Sequence, residues 1–190
     1  MPVAPSDVAA TNEDTEPAHI DIATRSIINS PAAGFASFTL DFHPASNGAV
    51  WGKNASILEI DLQSPGLRGV ATALAPAILR IGGSEAGENV TYTDFPGDDT
   101  ACPPSYYYCL SKSRWTEVVA FAKDTGLRLM LDLNIVGPGD TSDWAATLRQ
   151  IDALLAFTAT LGTAPYAFEL GNENQDVVSP ALAAERIRED

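Results

Sequence analysis

Short apolar stretches with the composition of buried strands alternate along this chain with stretches of helical spacing, and that alternation limits the fold more than any other feature. Phe35 to Phe42 reads as a strand by its aromatic and Thr content, and Ala77 to Gly83 reads as a second. Leu127 to Asn134 and Tyr166 to Leu170 read as a third and a fourth. Between the first two, Ser56 to Leu74 carries a helical pattern that Pro65-Gly66 interrupts and Pro76 closes. Trp115 to Gly126 reads as a helix with Trp115, Val118, Val119 and Ala122 on its apolar face and Gly126 as its stop. Trp144 to Leu161 reads as another, with Asp143 as N-cap and Leu148, Ile151, Leu154, Leu155 and Thr158 as its stripe. Ser179-Pro180 opens a last helix, with Ser as N-cap and Pro at the first position.

Strands separated by helices pair in parallel through helical crossovers. Four such units amount to half of an eight-stranded α/β barrel of the TIM, (β/α)8, type, over residues 20–190. Ile20 to Ile28 supplies a further short strand, and residues 1–19 read as an acidic, disordered lead-in. A doubly wound nucleotide-binding sheet is the competing architecture. The loop Gly82-Gly83-Ser84-Glu85-Ala86-Gly87 argues against it, because it does not match G-x-G-x-x-G and lacks the phosphate-binding lysine.

In a barrel, chemistry sits where strands end. The fourth strand runs into Gly171-Asn172-Glu173-Asn174, which puts a carboxylate at its tip. Asp41 closes the first strand, Gly82-Gly83-Ser84 follows the second, and Asp132 and Asn134 share one face at the end of the third. Ser84 to Ser113 reads as a long loop holding Tyr92, Phe95 and the run Tyr106, Tyr107 and Tyr108. Rings in such a loop can stack on a sugar or fill a small core of the loop itself.

Net charge is -14, from 25 acidic against 11 basic residues, which argues against nucleic acid and against anionic membrane surfaces as partners. No apolar run approaches the roughly 18 residues that span a bilayer. Residues 1–19 lack the basic start and apolar core of a secretory signal. Cys102 and Cys109 fit either a local disulfide, in an oxidising compartment, or two free thiols. Asn54-Ala55-Ser56 and Asn89-Val90-Thr91 are acceptor patterns for N-glycosylation, which favour a secretory route and an extracellular, lysosomal or vacuolar location.

Three segments resemble the heparanase-like glycoside hydrolases, retaining β-glucuronidases built on a β/α barrel. They are Ser37-Phe38-Thr39-Leu40-Asp41, Leu79-Arg80-Ile81-Gly82-Gly83-Ser84 and Phe168-Glu169-Leu170-Gly171-Asn172-Glu173, with Leu131-Asp132-Leu133-Asn134 as a softer fourth. Together they cover nearly all of residues 35–175. The resemblance implies that Glu173 is the general acid/base and that Asn172 bonds the sugar 2-hydroxyl. It also implies that Asp41, Gly83, Ser84 and Asn134 meet the substrate, a glucuronic acid-containing polysaccharide or proteoglycan glycan, with no cofactor. Retention further needs a nucleophilic carboxylate about 5–5.5 Å from the acid/base, which the family carries on a late strand. Glu169 is a poor substitute, lying four residues back along the strand, roughly 13 Å at 3.3 Å per residue, and it reads instead as a structural group pointing into the barrel interior, paired with Arg80 or a similar cation. The reading expected is therefore an N-terminal half-barrel that carries the acid/base and needs a C-terminal half as partner. A non-catalytic carbohydrate-binding relative, and another barrel glycosidase with an Asn-Glu pair, are the alternatives. The acidic balance favours a weakly charged glucuronide over sulfated heparan chains.

Overall fold

The computed structural model describes residues 20–21, 29–43, 56–102, 108–137, 144–174, 178–186 and 188. The chain divides into two units, Met1–Pro31 and Ala32–Asp190. In the first, Ile20, Asp21 and residues 29–31 are described, without regular structure and exposed. The lead-in over 1–19 and most of the strand expected at Ile20 to Ile28 lie outside the described residues.

The second unit is a mixed α/β structure around a four-stranded parallel sheet, compatible with the N-terminal region of a TIM barrel. Its strands are β1 (Phe38–Leu40), β2 (Ile78–Ile81), β5 (Arg128–Leu133) and β6 (Ala167–Leu170), side by side in that order. Sequential order with parallel pairing is what helical crossovers impose. The crossovers contain α1 (Pro65–Leu74), α3 (Lys112–Thr125) and α4 (Trp144–Thr160), and α5 (Pro180–Arg186) follows β6. None of the described helices is long and apolar enough to cross a membrane.

Register gives the sheet two unlike faces. Thr39 stands beside Arg80, Arg80 beside Met130, and Asp132 beside Glu169. The alternate residues Leu79, Ile81, Leu129, Leu131 and Leu133 point the other way, because side chains alternate along a strand. They join Trp115, Val118, Phe121 and Leu154 in one core under the helices. Trp115 is fully buried and donates its indole N–H to Thr158 Oγ1 at 2.7 Å, which ties α3 to α4. On β6 the outer residues Phe168 and Leu170 are exposed and line, with Leu133, Leu148, Ile151 and Leu155, a groove of about 370 Å³.

Local starts differ from the sequence reading in two places. Pro65, read as an interruption, is the first residue of α1, where its fixed φ suits a helix and its missing N–H costs nothing. Residues 56–60 form a separate turn on Ser56, whose hydroxyl donates to Phe42 O at 2.7 Å and accepts from Leu58 N at 3.2 Å. α3 begins at Lys112 rather than Trp115, because Ser111 Oγ accepts from Arg114 N and caps it. Arg114 then donates to Ile57 O and Ile60 O at 2.7 and 2.6 Å, docking that turn onto the helix start. Ser179 does cap α5, accepting from Leu182 N at 3.3 Å, whereas Asp143 lies outside the described residues.

The stretch read as one long loop contains structure of its own. α2 (Ser84–Glu88) leaves the end of β2, and β3 (Thr91–Thr93) pairs in parallel with β4 (Cys109–Ser111). Cys102 and Cys109 are joined by a disulfide. Tyr92 and Phe95 are buried, and Phe95 packs edge-on against Phe157 with ring centroids 5.7 Å apart, so these two rings fill a local core instead of waiting for a sugar. Tyr106 and Tyr107 lie outside the described residues.

Candidate active site

The sheet delivers its polar residues to one place, the C-terminal ends of β1, β2 and β6. Asp41 leaves β1 and accepts the backbone N–H of His43 on Oδ1 at 3.0 Å. Its carboxylate lies directly over Gly83, where a Cβ would overlap Asp41 Oδ2. Gly83 also sits at φ +130°, outside the range that L side chains adopt readily, so a glycine is required on both counts. Burial holds the Asp41 carboxyl above the ordinary carboxylate range. The His43 backbone N–H opposes that shift, and the nearby Glu85 carboxylate adds to it. Glu85, on α2, meets His43 Nδ1 at 3.1 Å.

At the end of β6, Asn172 is half-buried and Glu173 is exposed. Glu173 adopts φ +52°, the left-handed region, which for a non-glycine residue costs on the order of 1 kcal/mol or more. Strain of this kind persists where surrounding contacts fix the backbone. Here the flanking residues are fixed: Gly171 N donates to Leu133 O at 3.2 Å, and Asn174 Nδ2 donates to Gly87 O at 3.2 Å. Asn172 Oδ1 accepts from Arg80 Nη2 at 2.8 Å, and Asn172 Nδ2 lies 3.4 Å from Ser84 Oγ. The structure thus brings Asp41, Gly83, Ser84 and Asn172 into one contact chain, with Glu173 next along the backbone.

Arg80 is the hub beneath them. Its Nε donates to Glu169 Oε2 at 2.5 Å, and its Nη2 lies 3.8 Å from Asp132 Oδ2. Glu169 therefore balances a half-buried cation and is committed to the scaffold. Asp132 is fully buried; Oδ2 accepts from Gly83 N at 3.5 Å, and Oδ1 has no hydrogen-bond partner among the described residues. Burial, and then the negative charge of Glu169, push the Asp132 carboxyl up to about 7, against the pull of Arg80.

Asn134 and Gly83 are both buried. Asn134, expected to meet substrate, is fully buried, donates Nδ2 to Val90 O at 2.9 Å and accepts from Val136 N and Gly137 N on Oδ1. It staples the end of β5 to the segment before β3, and these bonds satisfy an amide that would be costly to bury unpaired. Gly83 is buried under Asp41, and the absence of a side chain there admits that carboxylate. Asn89 ends α2 half-buried, ahead of the buried Val90 and Thr91 of its acceptor pattern, and Asn54 lies outside the described residues. The link from Arg80 to Asn172 spans 92 positions and had no signal in the sequence beyond an arginine inside an apolar strand. His43 and Glu85 also carried no motif. Among the described residues, no group of three or more His, Cys, Asp or Glu side chains is arranged to hold a metal ion.

What the arrangement offers is a set of fixed hydrogen-bonding groups and an exposed carboxylate on a rigid strand end, suited to a hydroxylated ligand. Comparison with known proteins agrees. Heparanase-like protein 3 of Arabidopsis thaliana is 29% identical over 157 residues, a match that covers 73% of this chain and 29% of that protein. The chain thus spans less than a third of the length of the curated relative it matches. The family model described as "Glycosyl hydrolase family 79, N-terminal domain" matches residues 17–190, and the chain belongs to that glycoside hydrolase family.

Proposed function

We propose that this chain supplies the acid/base half of a retaining glycoside hydrolase acting on glycans that contain β-linked glucuronic acid. The observation that carries the reading is the Asn172-Glu173 pair at the end of a parallel strand, with the amide held by Arg80 and the carboxylate exposed. Glu173 protonates the departing glycosidic oxygen and then takes the proton from the incoming water. Asn172 bonds the sugar 2-hydroxyl, a contact that strengthens as positive charge builds at the anomeric carbon. Asp41 and Ser84 contact the same sugar. The nucleophilic carboxylate comes from polypeptide outside this N-terminal domain. Two facts favour that source: the matched relative is more than three times the span aligned here, and β6 is an edge strand with Phe168 and Leu170 exposed, as if awaiting further strands of an eight-stranded barrel.

The net charge of -14 disfavours a densely sulfated substrate and favours a glucuronide of lower charge. The Cys102–Cys109 disulfide supports an oxidising location, outside the cell or in a lysosomal or vacuolar lumen. A panel of aryl β-glucuronides, β-xylosides and α-arabinofuranosides, offered to the full-length protein, tests the reading. Hydrolysis confined to the glucuronides is expected. Preference for a pentoside would move the activity to another barrel glycosidase type, and no turnover of any would leave a binding protein.

A further inference from the structure

Arg80 stands out because it is half-buried beneath the strand ends, and three acidic or amide groups fix it. Glu169 holds Nε, Asp132 lies 3.8 Å from Nη2, and Asn172 Oδ1 takes a bond from Nη2. Its guanidinium also lies over Gly82, where a Cβ would come within 2.8 Å of Arg80 Cζ. A planar, permanently charged group so constrained has one orientation, and it offers only donors.

That fixes which end of the Asn172 amide faces a ligand. Free asparagine amides can present either oxygen or nitrogen, and the choice is made by their hydrogen bonds. Here the oxygen is held by Arg80, while the nitrogen points toward Ser84 Oγ at 3.4 Å, on the exposed side of the strand ends. We infer that Arg80 is a positioning residue that locks Asn172 with its N–H₂ outward, so that the sugar 2-hydroxyl is recognised as a hydrogen-bond acceptor. This deepens the glycosidase reading above and rests on it. Glu169 acts one step further back, by aiming Arg80.

The consequence is selective. Loosening Arg80 lets the amide turn, and the site then loses what it gains from the 2-hydroxyl and little else. The test compares an aryl β-glucuronide with its 2-deoxy counterpart on the full-length enzyme, wild type and Arg80→Lys. Lysine keeps the charge opposite Glu169 but not the fork that reaches Asn172. Arg80→Lys is expected to lower kcat/KM for the 2-hydroxy substrate about 10–100-fold, mainly through kcat, and that for the 2-deoxy substrate less than about threefold. Partial unfolding would lower both rates by one factor and leave their ratio unchanged, so the ratio reads positioning alone. Equal losses on both substrates, or none, would overturn the inference while leaving the glycosidase reading intact. A wild-type enzyme inactive on both would overturn the two together. Should Arg80→Lys fail to fold, Asn172→Asp carries the test. It keeps an acceptor for Arg80 and removes the outward donor, so the 2-hydroxy advantage should collapse, and its survival would refute the assigned orientation.

Discussion

Asp132→Asn isolates the effect of burying one carboxyl beside another. Asp132 is fully buried, faces Glu169 across the β5–β6 pair, and has no hydrogen-bond partner for Oδ1 among the described residues. Its carboxyl titrates at about 7 in the folded chain, against 3.8 when unfolded. Between those values the folded state holds a proton that the unfolded state has released. The stability this group contributes is therefore complete below about pH 4 and is lost as pH rises toward 7. A displacement of about 3 pH units, at 1.36 kcal/mol per unit, is on the order of 4 kcal/mol. Asparagine does not titrate, and its oxygen can still accept from Gly83 N. Urea unfolding of wild type and Asp132→Asn from pH 4.5 to pH 8 measures the difference and cancels the contributions of carboxylates that do not interact with Asp132. The advantage of the variant should be small near pH 4.5 and grow to a few kcal/mol at pH 8. Parallel pH profiles, or an Asn variant less stable than wild type at pH 8, would refute the argument that Asp132 is charged at a cost.

Two further outcomes follow from local geometry. Gly83→Ala should displace the Asp41 carboxylate and strain a backbone at φ +130°, at a cost of about 2 kcal/mol or more, read as a lower melting temperature together with impaired glycan binding. Replacing Cys102 and Cys109 by serine opens a short loop and should cost about 2–3 kcal/mol by the loop-entropy relation, while thiol titration of the unfolded wild type should find neither cysteine free.

The parts of the fold legible in the sequence are those with a long enough pattern. The four strands of the main sheet, α3 and α4 each carry apolar runs or stripes, and Gly126 and Gly162 mark where the two helices stop. The segment between β2 and α3 was not legible, because three-residue strands such as Thr91-Tyr92-Thr93 are too short to show a period and here are buried on both sides. Pro65 carried an ambiguous signal, since proline both breaks helices and starts them. At the site, the local motif Leu170-Gly171-Asn172-Glu173 pointed to a carboxylate at a strand end, but not to the left-handed backbone at Glu173. Strand alternation put Asn134 on one face with Asp132 but gave no sign of its bonds to Val90, Val136 and Gly137, which depend on segments that the sequence pattern did not resolve. Within the Arg80 network, the pairing with Glu169 was expected from the place of Glu169 on its strand, whereas the links to Asp132 and Asn172 are tertiary facts.

The role of Glu173 is open to a direct measurement: how the rate of Glu173→Ala depends on the leaving group, in the full-length protein. An acid/base residue is needed to protonate a poor leaving group and hardly at all for an activated one. Removing it should cut kcat/KM by at least about 100-fold on an alkyl or weakly acidic phenyl β-glucuronide, with much smaller loss on a dinitrophenyl β-glucuronide. Equal losses across the leaving-group series, or full activity on all of them, would contradict the assignment of Glu173 as the proton donor.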